Sequence, residues 1–253
     1  MDQLNSRQAA ILNQLRTQGR VLVDDLSEVF VSTPQTIRRD LKVLAGTGEV
    51  IRFHGGATLR TGVEYTGFEA RRNIAVEQKE AIGRATAGYI PNNSVIMVNA
   101  GTTTAAVARA LSRHAGLRII TDNVSVANEL RVFAGSEVIV PGGTVRRSDG
   151  AILGEGAVEF IRQFRADIAV IGTAALDQEG ALLDFDLREA HVARAMIACS
   201  RTVIVATDSS KFSNTAPVQI GHLEQVDVLV TDKGENGKAE RLCEKFGVTM
   251  IVA

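Results

Sequence analysis

Apolar residues at helical spacing open the chain. Between Ser6 and Gln18, Ile11, Leu12 and Leu15 form one stripe, which stops at Gly19. Between Asp24 and Phe30, Leu26, Val29 and Phe30 form a second, with Asp24 and Asp25 where the positive end of a helix favours acids. After the short turn Val31-Ser32-Thr33 comes a third stripe, Ile37, Leu41 and Leu44. Thr33 is a capping residue type and Pro34 suits the first helical position. Gly46 and Gly48 end that helix, and Val50, Ile51 and Arg52 then read as a strand turning at Gly55-Gly56. Three short helices and a hairpin predict a winged helix-turn-helix over residues 1–57.

The polar positions of the third helix point to its task. With Ile37, Leu41 and Leu44 inward, Gln35, Thr36, Arg38, Arg39 and Lys42 stay on or near the other face. Arg and Gln can read base edges, while Thr and Lys hold phosphates. Thr33 at the helix start and Arg52 and His54 in the wing complete the expected contacts to double-stranded operator DNA. A charged helix face alone is as often plain solvated surface. Two supporting helices and a basic wing beside it favour the DNA reading.

Residues 58–76 read as a polar linker with Gly62, Gly67 and the pair Arg71-Arg72. From 77 to 253 helices alternate with short apolar strands, at 94–98, 117–121, 137–140, 168–171, 203–206, 226–230 and 249–252. That alternation predicts an α/β domain with a largely parallel sheet and helices on both faces. In such sheets ligands sit beyond the carboxyl ends of the strands, so the residues just after each strand are the candidates. Asn99, Gly101, Thr102 and Thr103 lead into a helix and read as a phosphate cradle, since glycine admits the ligand and the helix N-terminus favours an anion. Asn123 follows the second strand, Gly142 and Gly143 the third, and Gly172-Thr173 the fourth. Asp184 and Asp186 lead into a helix bearing Glu189 and Arg194, and the fifth strand ends near Asp208 and Lys211. The bland alternative is that the threonines cap a helix and that Asp122, Asp184 and Asp186 are caps or surface charges. Convergence at one sheet edge favours a pocket for a small phosphorylated sugar or polyol.

The run TIRRDLKVLAGTGEVIRFHGGA resembles the N-terminal signature of the DeoR family of bacterial sugar-metabolism regulators, T-I-R-R-D-L followed by R-x-H-G-G-A. The resemblance continues through nearly the whole chain. The family's D-x-G-T-T, T-N, G-G, E-A-x-x-K-R and D-x-S-K-F stand here as N-A-G-T-T, T-D-N, G-G, E-A-H-V-A-R and D-S-S-K-F. The resemblance implies a ribose-5-phosphate-isomerase-like α/β effector domain, repressor function and a homodimer or homotetramer. Asn99 stands where the family usually has Asp, and Ala193 where it has Lys, which points to altered selectivity. The segment from Arg146 to Ala190 is similar to the branch that controls glycerol 3-phosphate catabolism, making glycerol 3-phosphate the first expected effector and another sugar phosphate the alternative.

Composition changes the picture little. The 253 residues carry a net charge of −1. Residues 1–60 hold eight Lys/Arg against six Asp/Glu, a net of +2, and the remainder a net of −3. So mild a bias favours several N-terminal domains acting together, hence an oligomer. Cys199 and Cys243 lie far apart without metal-ligand neighbours and read as buried small hydrophobes of a cytoplasmic protein. No secretion signal is legible, and no apolar run approaches the ~18 residues of a membrane span. No metal or cofactor is expected. An isomerase-like enzyme is the competing reading, with Glu189 or Asp208 as base and Lys211 as electrophile, but no histidine falls at a strand end. A DNA binder without a ligand is the third.

Overall fold

The computed structural model describes residues 4–18, 20–46, 50–53, 55–59, 71, 74–234 and 237–253. They fall into two compact units, Met1–Glu64 and Tyr65–Ala253.

In the first unit α1 (Ser6–Gln18), β1 (Arg20–Leu22), α2 (Val23–Val29) and α3 (Pro34–Gly46) precede the hairpin of β2 (Val50–Phe53) and β3 (Gly56–Leu59). The three helical stripes meet: Ile11, Leu15, Leu26, Ile37 and Leu44 are fully buried, with Val50 and Ala57 of the wing closing the core. Val29 is the exception, exposed at the last position of α2 although its spacing placed it inward. β1 was not expected; only three residues long between two helices, it pairs antiparallel with β3 and makes the wing a three-stranded sheet in the order β1-β3-β2. Asp40, on the inner side of α3, is buried and accepts hydrogen bonds from Arg7 Nε (2.6 Å) and Gln8 Nε2 (3.0 Å) of α1. These bonds fix the rotation of α3, and so which of its residues face out.

The turn between α2 and α3 carries backbone strain. Val31, 92 % exposed, has φ +45°, in the left-handed region where a β-branched residue is a genuine outlier. It occupies the position after a helix end that glycine usually fills. The left-handed region costs an L-residue roughly 1–2 kcal/mol, and glycine's extra freedom in the unfolded chain returns roughly half of that. Val31→Gly is therefore expected to stabilise the winged unit by about 1 kcal/mol, raising its melting temperature by about 4–8 °C in a calorimetric scan. No rise would mean that the strain is absent.

In the second unit seven parallel strands form one sheet: β4 (Val95–Val98), β5 (Leu117–Thr121), β6 (Ser136–Ile139), β7 (Ala166–Ile171), β10 (Ser200–Ala206), β12 (Val228–Thr231) and β13 (Thr249–Val252), in the order β13-β12-β10-β7-β4-β5-β6. Their side chains alternate between two cores. Ile96 and Val98 join the face covered by α4 (Val76–Tyr89), α5 (Thr102–Ala110) and α6 (Val124–Leu130). Met97 joins the face covered by α7 (Glu155–Arg162), α8 (Leu187–Ala198) and α9 (Lys238–Phe246), together with Cys199 and Cys243. Burial on both faces is why the strands read as continuous apolar runs. A second sheet, antiparallel and not foreseen, joins β8 (Ala175–Leu176), β9 (Ala181–Asp184) and β11 (Val218–His222) in the order β11-β9-β8.

The strand order reverses between β4 and β7. From β4 the chain works outward through β5 to β6; from β7 it works outward the other way. At such a switch point the connections leave in opposite directions and open a crevice beyond the carboxyl ends. Among the described residues no helix is long and apolar enough to cross a membrane, and no group of three or more His, Cys, Asp or Glu side chains is arranged to hold a metal ion.

Candidate functional site

The winged unit presents one polar face of α3. Ile37, Asp40, Leu41 and Leu44 are buried, while Gln35, Arg38, Arg39 and Lys42 are exposed. At about 100° of rotation per residue, those four exposed residues share an arc of about 100° opposite the buried stripe. Thr36 is half-buried at its edge. Thr33 is exposed but occupied, since its hydroxyl accepts the Thr36 N–H at 3.3 Å and caps the helix. Arg52 stands exposed on β2, and His54 lies outside the described residues.

At the switch point of the second unit, Asn99 ties the two central strands. Its Oδ1 accepts the Gly172 N–H at 2.9 Å and its Nδ2 donates to the Gly172 carbonyl at 3.4 Å. A carboxylate there would set an oxygen against that carbonyl, so the amide suits this position. Gly101 then starts α5 with no side-chain cap. Thr104 does not cap either; its hydroxyl donates to the Asn99 carbonyl at 2.7 Å. A Cβ on Gly101 would stand 2.8 Å from the Thr104 hydroxyl oxygen, so glycine suits this close approach. Thr102 and Thr103 follow, nearly buried, at a helix start whose N–H groups lack a side-chain partner.

A tight turn carries the site's arginine. Residues 146–151 fold onto the end of β5 through hydrogen bonds from Arg146 N to Ala151 O (2.7 Å), Val124 N to Gly150 O (2.9 Å) and Ile152 N to Asp122 O (2.6 Å). Arg146 then reaches three carboxylates: Asp149 Oδ1 at 2.8 Å, Asp186 Oδ2 at 3.0 Å and Glu189 Oε2 at 2.9 Å. Asp122 and Asp184 add two more carboxyls nearby. Arg188 adds a second guanidinium at Asp186, at 2.7 Å, and burial favours protons on the more enclosed carboxyls. Burial, reinforced by Glu189, pushes the Asp122 carboxyl up to about 8, with the Ala100 N–H opposing. Burial and Asp184 push Glu189 up to about 7 against the pull of Arg146. Burial also holds Asp184 above the usual carboxylate range. Asp186 goes the other way, lowered by its hydrogen bond with Arg188.

These raised carboxyls give the unit a pH dependence of definite sign. A carboxyl whose folded pKa exceeds its unfolded value of about 4 keeps its proton in the native state after the unfolded chain has lost it. Its contribution is complete below pH 4 and is lost as pH rises through the folded value, here about 7 for Glu189 and about 8 for Asp122. Urea unfolding followed by circular dichroism should show stability falling between pH 5 and 8, by up to about 1.4 kcal/mol per pH unit for each group. Asp122→Asn, which mimics the protonated form, should flatten that slope and stabilise the unit at pH 8. An unchanged slope would mean that Asp122 is ionised throughout.

The remaining expected residues divide. Asp208 and Lys211 lie together at the end of β10, Lys211 Nζ 4.0 Å from Asp208 Oδ2, while Asp208 also accepts the Ser210 N–H at 3.2 Å. Arg194 does not join the carboxylates. It is exposed, five residues beyond Glu189 and so turned about 140° around α8, and its Nε donates to the Gln219 carbonyl of β11 at 3.0 Å. It staples a helix to a strand. The Asn123 side chain is committed to structure, its Oδ1 capping α6 at Val126 N (3.0 Å) and its Nδ2 donating to the Asp149 carbonyl (3.0 Å). Gly142 is exposed, and Gly143, at φ +144°, bends the chain toward the 146–151 turn. Asp122 is neither cap nor surface charge, whereas Asp186 does cap α8 through Arg188 N. Ala193 is buried in the apolar core. Sequence reasoning missed Arg146 and Asp149; their spacing of three, closing on Gly150 in a tight turn, was the available sign. Two clefts, of about 320 and 380 Å³, lie between the 209–213 turn and α9, next to Asp208 and Lys211, and a third, of about 600 Å³, lies at the amino ends of β4, β5 and β6.

A winged helix-turn-helix unit followed by a parallel-sheet α/β unit is the build of a DNA-binding regulator. Residues 7–62 match the DeoR-like helix-turn-helix domain and residues 74–233 the DeoR C terminal sensor domain. The chain belongs to the DeoR family. It is 42% identical over 226 residues to the glycerol-3-phosphate regulon repressor of Escherichia coli (strain K12), covering 89% of this chain and 90% of that one. It is 40% identical over 229 residues to the HTH-type transcriptional repressor CsqR of the same organism, covering 90% and 88%. With the transcriptional repressor AccR of Agrobacterium fabrum it shares 33% identity over 249 residues, 98% and 96%. Among solved structures, ribose 5 phosphate isomerase A from Neisseria gonorrhoeae is similar over 53% of this chain and 52% of that chain, at 11% identity and a TM-score of 0.39. That likeness says nothing about chemistry here.

Proposed function

We propose that this protein is a transcriptional repressor of a carbohydrate or glycerol catabolic operon, released from operator DNA by a small phosphorylated polyol. The carrying observation is the arc of Gln35, Arg38, Arg39 and Lys42 on α3, turned outward by the Asp40 bonds beside a paired wing. The relatives that span nearly the whole chain bear the names of repressors, which weighs against the enzyme reading. A repressor of this kind works in the cytoplasm, as a homodimer or homotetramer whose paired wings read two half-sites roughly 34 Å apart or a multiple of that. Light scattering that found only a 27.0 kDa species at micromolar concentration would count against the oligomer.

Glycerol 3-phosphate is the first-choice effector, its phosphate at the uncapped start of α5 beside Gly101, Thr102 and Thr103, with Lys211 near and Glu189 toward the hydroxyls. Two relatives of nearly equal identity, 42% and 40%, carry different names, so the pocket decides the ligand. Genomic fragments selected by the protein supply the operator, and the complex is then titrated with glycerol 3-phosphate, pentose phosphates and hexose phosphates. A tenfold release requires about 1.4 kcal/mol of preference for the DNA-free form. Thr102→Val should blunt the response to the true effector and leave operator affinity unchanged; an intact response would move the phosphate elsewhere. Release by a hexose phosphate alone would keep the repressor and discard the glycerol assignment.

A further inference from the structure

Lys79 on the first turn of α4 is buried, 5 % exposed, with no carboxylate within salt-bridge distance among the described residues. Its ammonium donates instead to two main-chain carbonyls, Arg71 O at 2.6 Å and Ile74 O at 2.7 Å. Those carbonyls belong to the stretch through which the chain passes from the winged unit's sequence into α4. Burial lowers the Lys79 ammonium to about 8, Asp208 opposes that fall, and Lys211 and Arg71 add to it. Arg71 also acts on the Asp184 carboxyl. Lys79 thus interacts with Asp208 and Lys211 at the end of β10, and Arg71, whose carbonyl it holds, interacts with Asp184. Burying an ammonium is costly; two main-chain carbonyls offset that cost here, so the position of the ammonium is tied to that of Arg71 and Ile74.

We propose that Lys79 is a positioning residue that passes occupancy of the effector site to the Arg71 and Ile74 main chain, and through it to the DNA-binding arrangement. The inference rests on the effector reading above. An anion arriving beside Lys211 changes the field at the ammonium; the ammonium shifts in response, and the Arg71 and Ile74 carbonyls move with it. Such a residue contributes to the coupling between ligand and operator, not to the affinity for either alone.

The experiment compares the full chain with Lys79→Met in operator binding and in melting temperature, each with and without glycerol 3-phosphate and glucose 6-phosphate. The ligand that releases the unaltered protein should raise the melting temperature of both proteins alike. It should lower operator affinity tenfold or more for the unaltered chain and less than twofold for Lys79→Met. Equal release of the two proteins overturns the proposal. So does loss of the ligand-induced melting shift in Lys79→Met, which would make Lys79 a ligand contact. If the variant does not fold, hydrogen exchange in the unaltered chain decides: amides of residues 74–79 should change rate at least threefold when operator DNA binds, and unchanged rates refute the role. If neither compound shifts the melting temperature of the unaltered chain, it is the effector reading that fails, and the operator-dependent exchange still decides the part played by Lys79.

Discussion

Arg146→Ala should lower the stability of the C-terminal unit by about 3–5 kcal/mol, the loss expected when one partner of a buried ionic network is removed. The reason lies in what stays behind. Asp149 has no side-chain exposure, Glu189 has 7 %, and both face the guanidinium together with Asp186. Without it, Asp149 and Glu189 lose the guanidinium they share in a low-dielectric setting, which favours taking up protons, while Asp186 keeps its pair with Arg188 at 2.7 Å. The deficit should therefore be largest near pH 8 and shrink toward pH 5, where protonation relieves the repulsion. Arg146→Lys should recover only part of it, since one ammonium cannot reproduce the planar fork that grips Asp149 and reaches Asp186 and Glu189 together. Urea unfolding at both pH values measures this. A loss under about 1 kcal/mol at pH 8 would mean that solvent, not Arg146, compensates the cluster.

The second large effect concerns DNA. Arg38→Ala and Arg39→Ala should each weaken operator binding by about 1–3 kcal/mol per winged domain and relax the preference at one base position if that arginine reads a base. Lys42→Ala should act differently, weakening all sequences alike and reducing the slope of log affinity against log salt by about 0.9. All three side chains are exposed on one face and none contributes to the core, so the melting temperature should hold. Normal binding by both arginine variants would put α3 outside the groove.

What could be read from the sequence was whatever repeats with a period. The three helical stripes of the winged unit and the seven strands of the large sheet follow from apolar spacing, because burial on one face or on two imposes that spacing directly. β1 and β8 are three and two residues long, too short for a period; β1 is made by pairing with the distant Ala57 of β3 and β8 by a local hairpin to Leu183 of β9. The site followed the same division. Gly101, Thr102, Asp208 and Lys211 were named as candidates because a strand-end rule points at them. Arg146 was missed because Arg-Arg-Ser-Asp-Gly reads as an exposed turn, and only the bridge from Asn123 to Ala151 folds that turn inward. Lys79 was missed because a lysine in a polar helical stretch reads as solvated. Arg194 was misplaced for the opposite reason: it adjoins motif residues in sequence, but its position around α8 sends it toward β11. Val29 fits the spacing of its helix, but the helix ends there.

The position of β4 in the sheet also sets an order of assembly. Its first neighbour in the chain, β5, begins at Leu117, but its other neighbour, β7, begins at Ala166, and Met97 must wait for Ala169. As the chain leaves the ribosome, β4, β5 and β6 can zip together early, whereas the crevice between β4 and β7 cannot exist until the middle of the second unit has been made. Every strand pairing of the winged unit closes by Leu59. Non-local pairings are slow to form and domains tend to fold in the order of synthesis. A nascent chain thus completes its winged unit well before the crevice between β4 and β7, and under the effector reading proposed above a chain broken off ahead of Ala166 would keep the reader with no means of being told to let go.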